Sequence, residues 1–181
     1  MQTYISLLRG INVSGKNMIK MDALRNMYES IGLLNSQTYI QSGNIVFKCK
    51  STKKELLEQK ISDAIKTYFG FDVPVIVKDI KDFEKIIAEN PFLNGRNEDI
   101  SKLHVTFLSG NPDAAKVDLI SQGSYDQDEY VFKGNIVYLF CPGGYGKTKL
   151  SNNFFESKLK IKASTRNWKT TLELLAIASV L

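Results

Sequence analysis

The chain has 181 residues, 43% hydrophobic and 24% charged, with a formal net charge of +5; this length suffices for a core without covalent staples, and the balance excludes disordered, collagenous and coiled-coil classes. Two cysteines are too few for a disulfide framework, and the single histidine, His104, excludes His-rich metal sites and leaves one residue through which any Ser-His-Asp or Cys-His mechanism would have to pass. The charge is unevenly placed: residues 147–169 hold Lys147, Lys149, Lys158, Lys160, Lys162, Arg166 and Lys169 against Glu156 alone, a local +6, and the first 20 residues add Arg9, Lys16 and Lys20 with no acid.

In chain order, an apolar run at 3–8 predicts a strand. Met21, Leu24, Met27, Tyr28 and Ile31 then recur at helical spacing until Gly32. Runs at 37–40 and 44–47 flank Ser42-Gly43-Asn44, whose Gly and Asn accept the positive φ of a tight turn, so a hairpin is expected. Leu56, Leu57, Ile61, Ala64, Ile65, Tyr68 and Phe69 form a helical stripe, 73–77 is a β-branched strand, and Ile80, Phe83, Ile86 and Ile87 mark a helix ended at Asn90-Pro91. The order then repeats: strand 103–108, helix near 113–121, hairpin 130–132 with 136–140, and a helix through Leu150, Phe154 and Phe155. The alternating Lys/apolar run 158–163 reads as a short strand, and a helix from about Asn167 closes the chain.

The repeat is visible in the residues: Ser42-Gly43-Asn44-Ile45-Val46-Phe47 matches Lys133-Gly134-Asn135-Ile136-Val137-Tyr138, and Cys49 and Cys141 each follow that strand. A βαββαβ order with right-handed crossovers is the ferredoxin-like plan, here expected with its first and third strands central and parallel, and with one helix added to each copy. The fold class is therefore α/β (α+β), duplicated ferredoxin-like. The expected division is a first copy at 1–90, a linker at 91–102 in polar, aperiodic sequence, and a second copy at 103–181, packed as one compact unit. Both sides of the third strand of the second copy are apolar, which predicts a sheet buried on both faces. The N-terminal segment lacks the features of a secretory signal, and the apolar stretch at 172–181 is half a membrane span, so a cytoplasmic protein without membrane contact is expected.

Four strings carry a family resemblance: LLRGINVSGKN at 7–17, TYIQSGNIVF at 38–47, KTKLSNNFFE at 147–156 and TRNW at 165–168. The chain resembles the bacterial family catalogued as domain of unknown function 1697. The resemblance implies a duplicated ferredoxin-like fold in a cytosolic bacterial protein, and it implies no activity.

Two loops carry the chemistry. Gly10 to Asn17 fits G-x-x-x-x-G-K but has Asn where a P-loop needs Ser or Thr, and Cys141 to Thr148 fits G-x-x-x-x-G-K-T except that Cys replaces the first Gly. Glycines let backbone N–H groups converge, a following helix offers its positive end, and the lysine adds a full charge. No Walker-B strand accompanies them, so the reading is an anion nest rather than an NTPase, with glycine-rich packing turns as the alternative. The first loop is expected to approach the strand end near 47–50. Arg166, beside the expected cap Ser164 or Thr165, offers a bidentate fork, while Trp168, Leu172 and Leu175 form the stripe of the last helix. Asn152 and Asn153 read as helix surface, Lys53 and Lys54 as solvent-facing, His104 as structural, and Asp126, Asp128 and Glu129 as a solvated turn.

The candidate ligand-binding residues are thus Arg9, Gly10, Asn12, Gly15, Lys16, Gly143, Gly144, Lys147, Thr148 and Arg166, for a phosphate-bearing small molecule. No cofactor, metal or catalytic pair is implied. The rival readings are an interaction or assembly module without a small ligand, and a nonspecific nucleic-acid binder; the second is weakened because stacking aromatics are missing where RNA-recognition sheets need them, at Asn44, Val46, Asn135 and Val137.

Overall fold

The computed structural model describes residues 1–181. The first copy runs β1 (Gln2–Leu8), α1 (Met21–Ser30), β2 (Leu34–Tyr39), β3 (Asn44–Cys49), α2 (Lys54–Phe69), β4 (Val75–Asp79) and α3 (Ile80–Ala88). The second runs β5 (Leu103–Leu108), α4 (Ala114–Ser121), β6 (Glu129–Lys133), β7 (Ile136–Phe140), α5 (Asn152–Leu159), β8 (Ala163–Asn167) and α6 (Trp168–Val180), with single 3₁₀ turns at Ile100–Lys102 and Tyr145–Lys147.

Two four-stranded sheets result, ordered β2-β3-β1-β4 and β6-β7-β5-β8. The first and third strands of each copy are central, but they are antiparallel, not parallel. The connections require it. The β1-α1-β2 crossover returns β2 parallel to β1, and the hairpin reverses β3 against β2, so β3 inserted between them opposes both. The matched registers, Ile5 beside Val46 and Lys78, and Val105 beside Tyr138 and Arg166, show the same unit built twice.

By contacts the chain divides into Met1–Lys85 with Glu173–Leu181, and Ile86–Leu172. In the first unit, Tyr4, Leu8, Phe47 and Val77 of the sheet pack on Leu24, Met27 and Tyr28 of α1 and on Leu57, Ile61 and Ile65 of α2. Ser6 and the Tyr28 hydroxyl share a buried 2.9 Å hydrogen bond, and burial raises the Tyr28 phenol well above its ordinary range. In the second unit, Leu108, Val137, Leu139 and Ala163 pack on Ile120 of α4 and on Phe155 and Leu159 of α5. The opposite sheet faces are buried as well, at Ile5, Leu7 and Val46 and at Val105, Phe107 and Tyr138. Residues 91–102 also lie within this second unit, where Phe92 packs on Phe140 and Arg96 stands over both rings while pairing with Glu98 and Glu129.

Three of the four edge strands have an amide bonded by a helix glutamate. Glu58 of α2 accepts from Val77 N at 2.9 Å, Glu29 of α1 from Ser36 N at 3.0 Å, and Glu156 of α5 from Ala163 N at 3.1 Å. Each satisfies an outward amide that a neighbouring chain would otherwise pair.

The last strand differs from its expected place. Leu159, at helical spacing from Phe155 and 1% exposed, extends α5, and Lys160 ends it in the left-handed region at φ 60°. The strand is therefore Ala163–Asn167, so Thr165 and Ser164 are strand residues and not caps. Asn167 caps α6 instead, accepting from Thr170 N at 2.7 Å. Trp168, Leu174 and Ala178 form its buried side, whereas Leu172 is 38% exposed.

Candidate functional site

The loop after β1 closes on itself. Leu8 N donates to Gly43 O at 2.8 Å and Arg9 N to Pro74 O at 2.9 Å, so the loop meets the β2–β3 hairpin turn and the entry to β4. The expected approach to residues 47–50 is thereby corrected: antiparallel pairing places the end of β1 beside the start of β3. Asn12 acts as the clamp. Its amide nitrogen Nδ2 donates to Ile19 O (2.9 Å) and Gln41 O (3.0 Å), and Oδ1 accepts from Ile19 N (2.7 Å). Asn17 Nδ2 donates to Gly10 O at 3.0 Å, Asn12 N to Asn17 O, and Lys16 N to Val13 O around a tight turn at Ser14-Gly15, both at positive φ. The amides of Asn12 and Lys16 are thus committed, and α1 begins only at Met21. Gly15 and Lys16 are exposed at the tip, and Arg9 is half-buried.

The loop after β7 is fastened by an aromatic ring. Tyr145 stacks on His104 with ring centroids 4.8 Å apart and planes at 24°. His104 Nδ1 lies 3.2 Å from Lys102 O, and burial holds the imidazole below its ordinary value, so the ring serves as a neutral platform. Gly144, at φ 92°, donates to Cys141 O, Lys147 N to Gly144 O, and Thr148 N to Tyr145 O; Thr148 Oγ1 accepts from Leu150 N. Gly143, Gly146 and Lys147 are exposed, and the amides of Gly143 and Gly146 donate to no group of the chain. The helix α5 starts at Asn152, where Ser151 Oγ accepts from Phe154 N.

Arg166 lies on β8 beside Val105, buried, its Nη1 donating to Ser164 Oγ and Thr165 O, both at 2.9 Å. Neighbouring strand residues face opposite sides, so Arg166 shares a face with Val105 and Tyr138, whereas Tyr145 sits on the His104 face. The second unit therefore places the Gly-Lys loop and Arg166 on different faces of one sheet. On the His104 face, Thr106, Thr165 and Asn152 form a hydrogen-bonded chain with 2.7 Å links, which takes Asn152 off the plain helix surface.

Sequence reasoning missed Lys78. It holds the place in β4 that Arg166 holds in β8, beside Ile5, and burial lowers its ammonium below the usual value. The repeat register was the signal that could have found it. Lys54 is likewise not simply solvent-facing: it pairs with Asp79, at 3.0 Å, and with Asp82. The acidic turn is occupied by ion pairs, Asp126 with Lys149 and Glu129 with Arg96. No group of three His, Cys, Asp or Glu side chains is arranged to hold a metal. Both cysteines are free and buried, and burial raises both thiols, Cys141 to about 11. No helix is long and apolar enough to cross a membrane.

Two βαββαβ units, each extended by a helix, define a duplicated ferredoxin-like α/β protein. The chain belongs to the DUF1697 family, described as protein of unknown function, whose family model matches residues 1–138. Its fold is similar to that of the conserved bacterial protein SP0830 from Streptococcus pneumoniae, with a TM-score of 0.78, 25% sequence identity and 99% of each chain covered. No curated protein matches the chain.

Proposed function

We propose that the protein binds a phosphate-bearing small molecule at the loop from Cys141 to Thr148. The observation that carries this reading is that one loop holds both Lys147, exposed and without a carboxylate in ion-pair contact, and the exposed residues Gly143 and Gly146, whose amides donate to no group of the chain. Backbone N–H groups around a glycine turn, backed by one full positive charge, are the elements of an anion nest. The 3₁₀ turn and the Tyr145 ring on His104 hold the loop in place, so little ordering would accompany binding. Lys158, Lys160, Lys162 and Lys169 are also exposed, and their field would draw an anion toward this unit. In this reading Gly144 and Thr148 shape the turn, and Arg9, Gly10, Asn12, Gly15, Lys16 and Arg166 are not ligands.

The test is a thermal-shift series on the wild type and Lys147→Ala with inorganic phosphate, sugar phosphates, nucleotides and short oligonucleotides at two salt concentrations. A ligand near a hundred times its dissociation constant stabilises by roughly 2.7 kcal/mol, or roughly 5–10 °C at this chain size. A shift selective for one phosphate compound and lost in Lys147→Ala is expected. A length-dependent, steeply salt-sensitive response to oligonucleotides would replace this reading with nucleic-acid binding. No shift with any compound would overturn it.

A further inference from the structure

The two copies treat one corner of the fold differently. Leu56-Leu57-Glu58 and Phe154-Phe155-Glu156 hold matching places at the starts of α2 and α5. Leu57 and Phe155 face their cores at 3% and 0% exposure, and Glu58 and Glu156 each accept an edge-strand amide. In the second copy the preceding residue, Phe154, packs edge-on against Tyr125 with centroids 5.6 Å apart, and Ser151 caps the helix through Phe154 N. In the first copy Leu56 is 60% exposed, and Lys53 holds the cap position without a side-chain cap, Leu56 N donating to the backbone oxygen of Lys53 at 3.2 Å instead. Where the second copy has rings, the first has a cavity of about 420 Å³.

Its walls are apolar at Leu33, Leu34, Leu56 and Leu57, and its rim carries Lys50 and Lys60, both exposed and without a carboxylate in contact. Glu55 is the one acid in the first turn of the adjoining helix. The volume is within the range of small-molecule sites, which combine an apolar lining with a few placed polar groups. An uncapped helix start adds positive potential at the same end.

We propose that this corner binds a small amphiphilic carboxylate, its aryl or short alkyl body lying among Leu33, Leu34 and Leu56 and its carboxylate between Lys50, Lys60 and the first turn of α2. The apolar body takes the place that Phe154 and Tyr125 fill in the second copy, and the carboxylate meets the two rim lysines beside the start of α2. The site lies in the first unit and is independent of the Lys147 loop.

Calorimetric titration of the full chain with phenylpropanoate and octanoate, against phenylpropanamide and inorganic phosphate, tests it. Both carboxylates are expected to bind, with the neutral amide at least about tenfold weaker. Leu56→Trp, which fills the cavity, and Lys60→Glu, which reverses a rim charge, are each expected to weaken the carboxylates at least about tenfold. Lys53→Ser, which restores a cap, should weaken them less. Equal binding of amide and carboxylate, unchanged affinity in folded Leu56→Trp or in Lys60→Glu, or no binding at all would overturn the proposal. Should Leu56→Trp not fold, Lys60→Glu decides alone. Loss of carboxylate binding in Lys147→Ala rather than in Lys60→Glu would assign it to the other loop.

Discussion

Replacing Asn12 separates a ligand from a clamp. Its side chain makes three hydrogen bonds, donating to Ile19 O and Gln41 O and accepting from Ile19 N, and its backbone sits at φ 52°. At a net contribution of about 1 kcal/mol per bond, Asn12→Ala loses roughly 2–3 kcal/mol, and holding Ala in the left-handed region adds roughly 1 kcal/mol. The expected total is about 3–4 kcal/mol, a fall in melting temperature of roughly 6–15 °C. Asn12→Gly loses the same bonds but not the backbone preference, so it should lie about 1 kcal/mol closer to wild type. Equilibrium urea denaturation of the three proteins, read by circular dichroism and by tyrosine fluorescence, gives both differences. A change below about 0.5 kcal/mol in Asn12→Ala would refute the clamp, and unchanged stability with lost phosphate response would return Asn12 to the ligand site.

The hairpin glycines should respond unequally although they are repeats of one another. A Cβ on Gly43, at φ 74°, would stand 2.6 Å from Leu8 Cβ, so Gly43→Ala is expected to cost more than about 2 kcal/mol; at Gly134, φ 58°, the nearest atom is Asn111 Oδ1 at 3.5 Å, so Gly134→Ala should cost only about 1 kcal/mol. Parallel denaturation curves check the pair, and equal costs would contradict the packing. Glu58 titrates above the ordinary carboxylate value because burial disfavours its charge. The folded state therefore holds this proton to higher pH than the unfolded chain, so the group's contribution weakens as pH rises from the ordinary carboxylate value through the raised one. Glu58→Gln keeps an acceptor for Val77 N without the charge, and its stability relative to wild type should improve across that window. A difference that is flat with pH would exclude burial of a charged Glu58.

Element order, the duplication and the doubly buried sheets were legible because each rests on a strong local signal. Helical stripes such as Leu57, Ile61 and Ile65 and the paired Gly-Asn turns needed no tertiary information. The ends of elements were harder. Lys160 ends α5 at φ 60°, a conformation that a lysine does not announce, so the alternating run 158–163 around it imitated a strand. The parallel expectation for the central strands ignored the constraint that hairpin and crossover jointly impose. The site was legible as residue types but not as geometry. Nothing local indicates that Asn17 and Val13 consume the first loop's amides, or that Tyr145 lies on His104.

Duplication itself separates framework from site. What the fold requires must appear in both copies, and several features do: the positive-φ glycines Gly43 and Gly134, the caps Asp79 and Asn167, the glutamates on edge-strand amides, and the buried cations Lys78 and Arg166. A cation that recurs at the same register beside Ile5 and Val105 is explained by the unit's own construction, which argues against Arg166 as a ligand despite its chemistry. Features used once carry no such explanation. The connection from β3 to α2 spans 50–53, whereas that from β7 to α5 spans 141–151 and contains Gly143, Gly144, Gly146 and Lys147. Neither a longer glycine-rich route nor an uncapped helix beside a cavity is needed to close the unit, because the other copy closes without it. Selection for something other than folding is the economical account of both departures, and both add positive charge at the same end of their respective units.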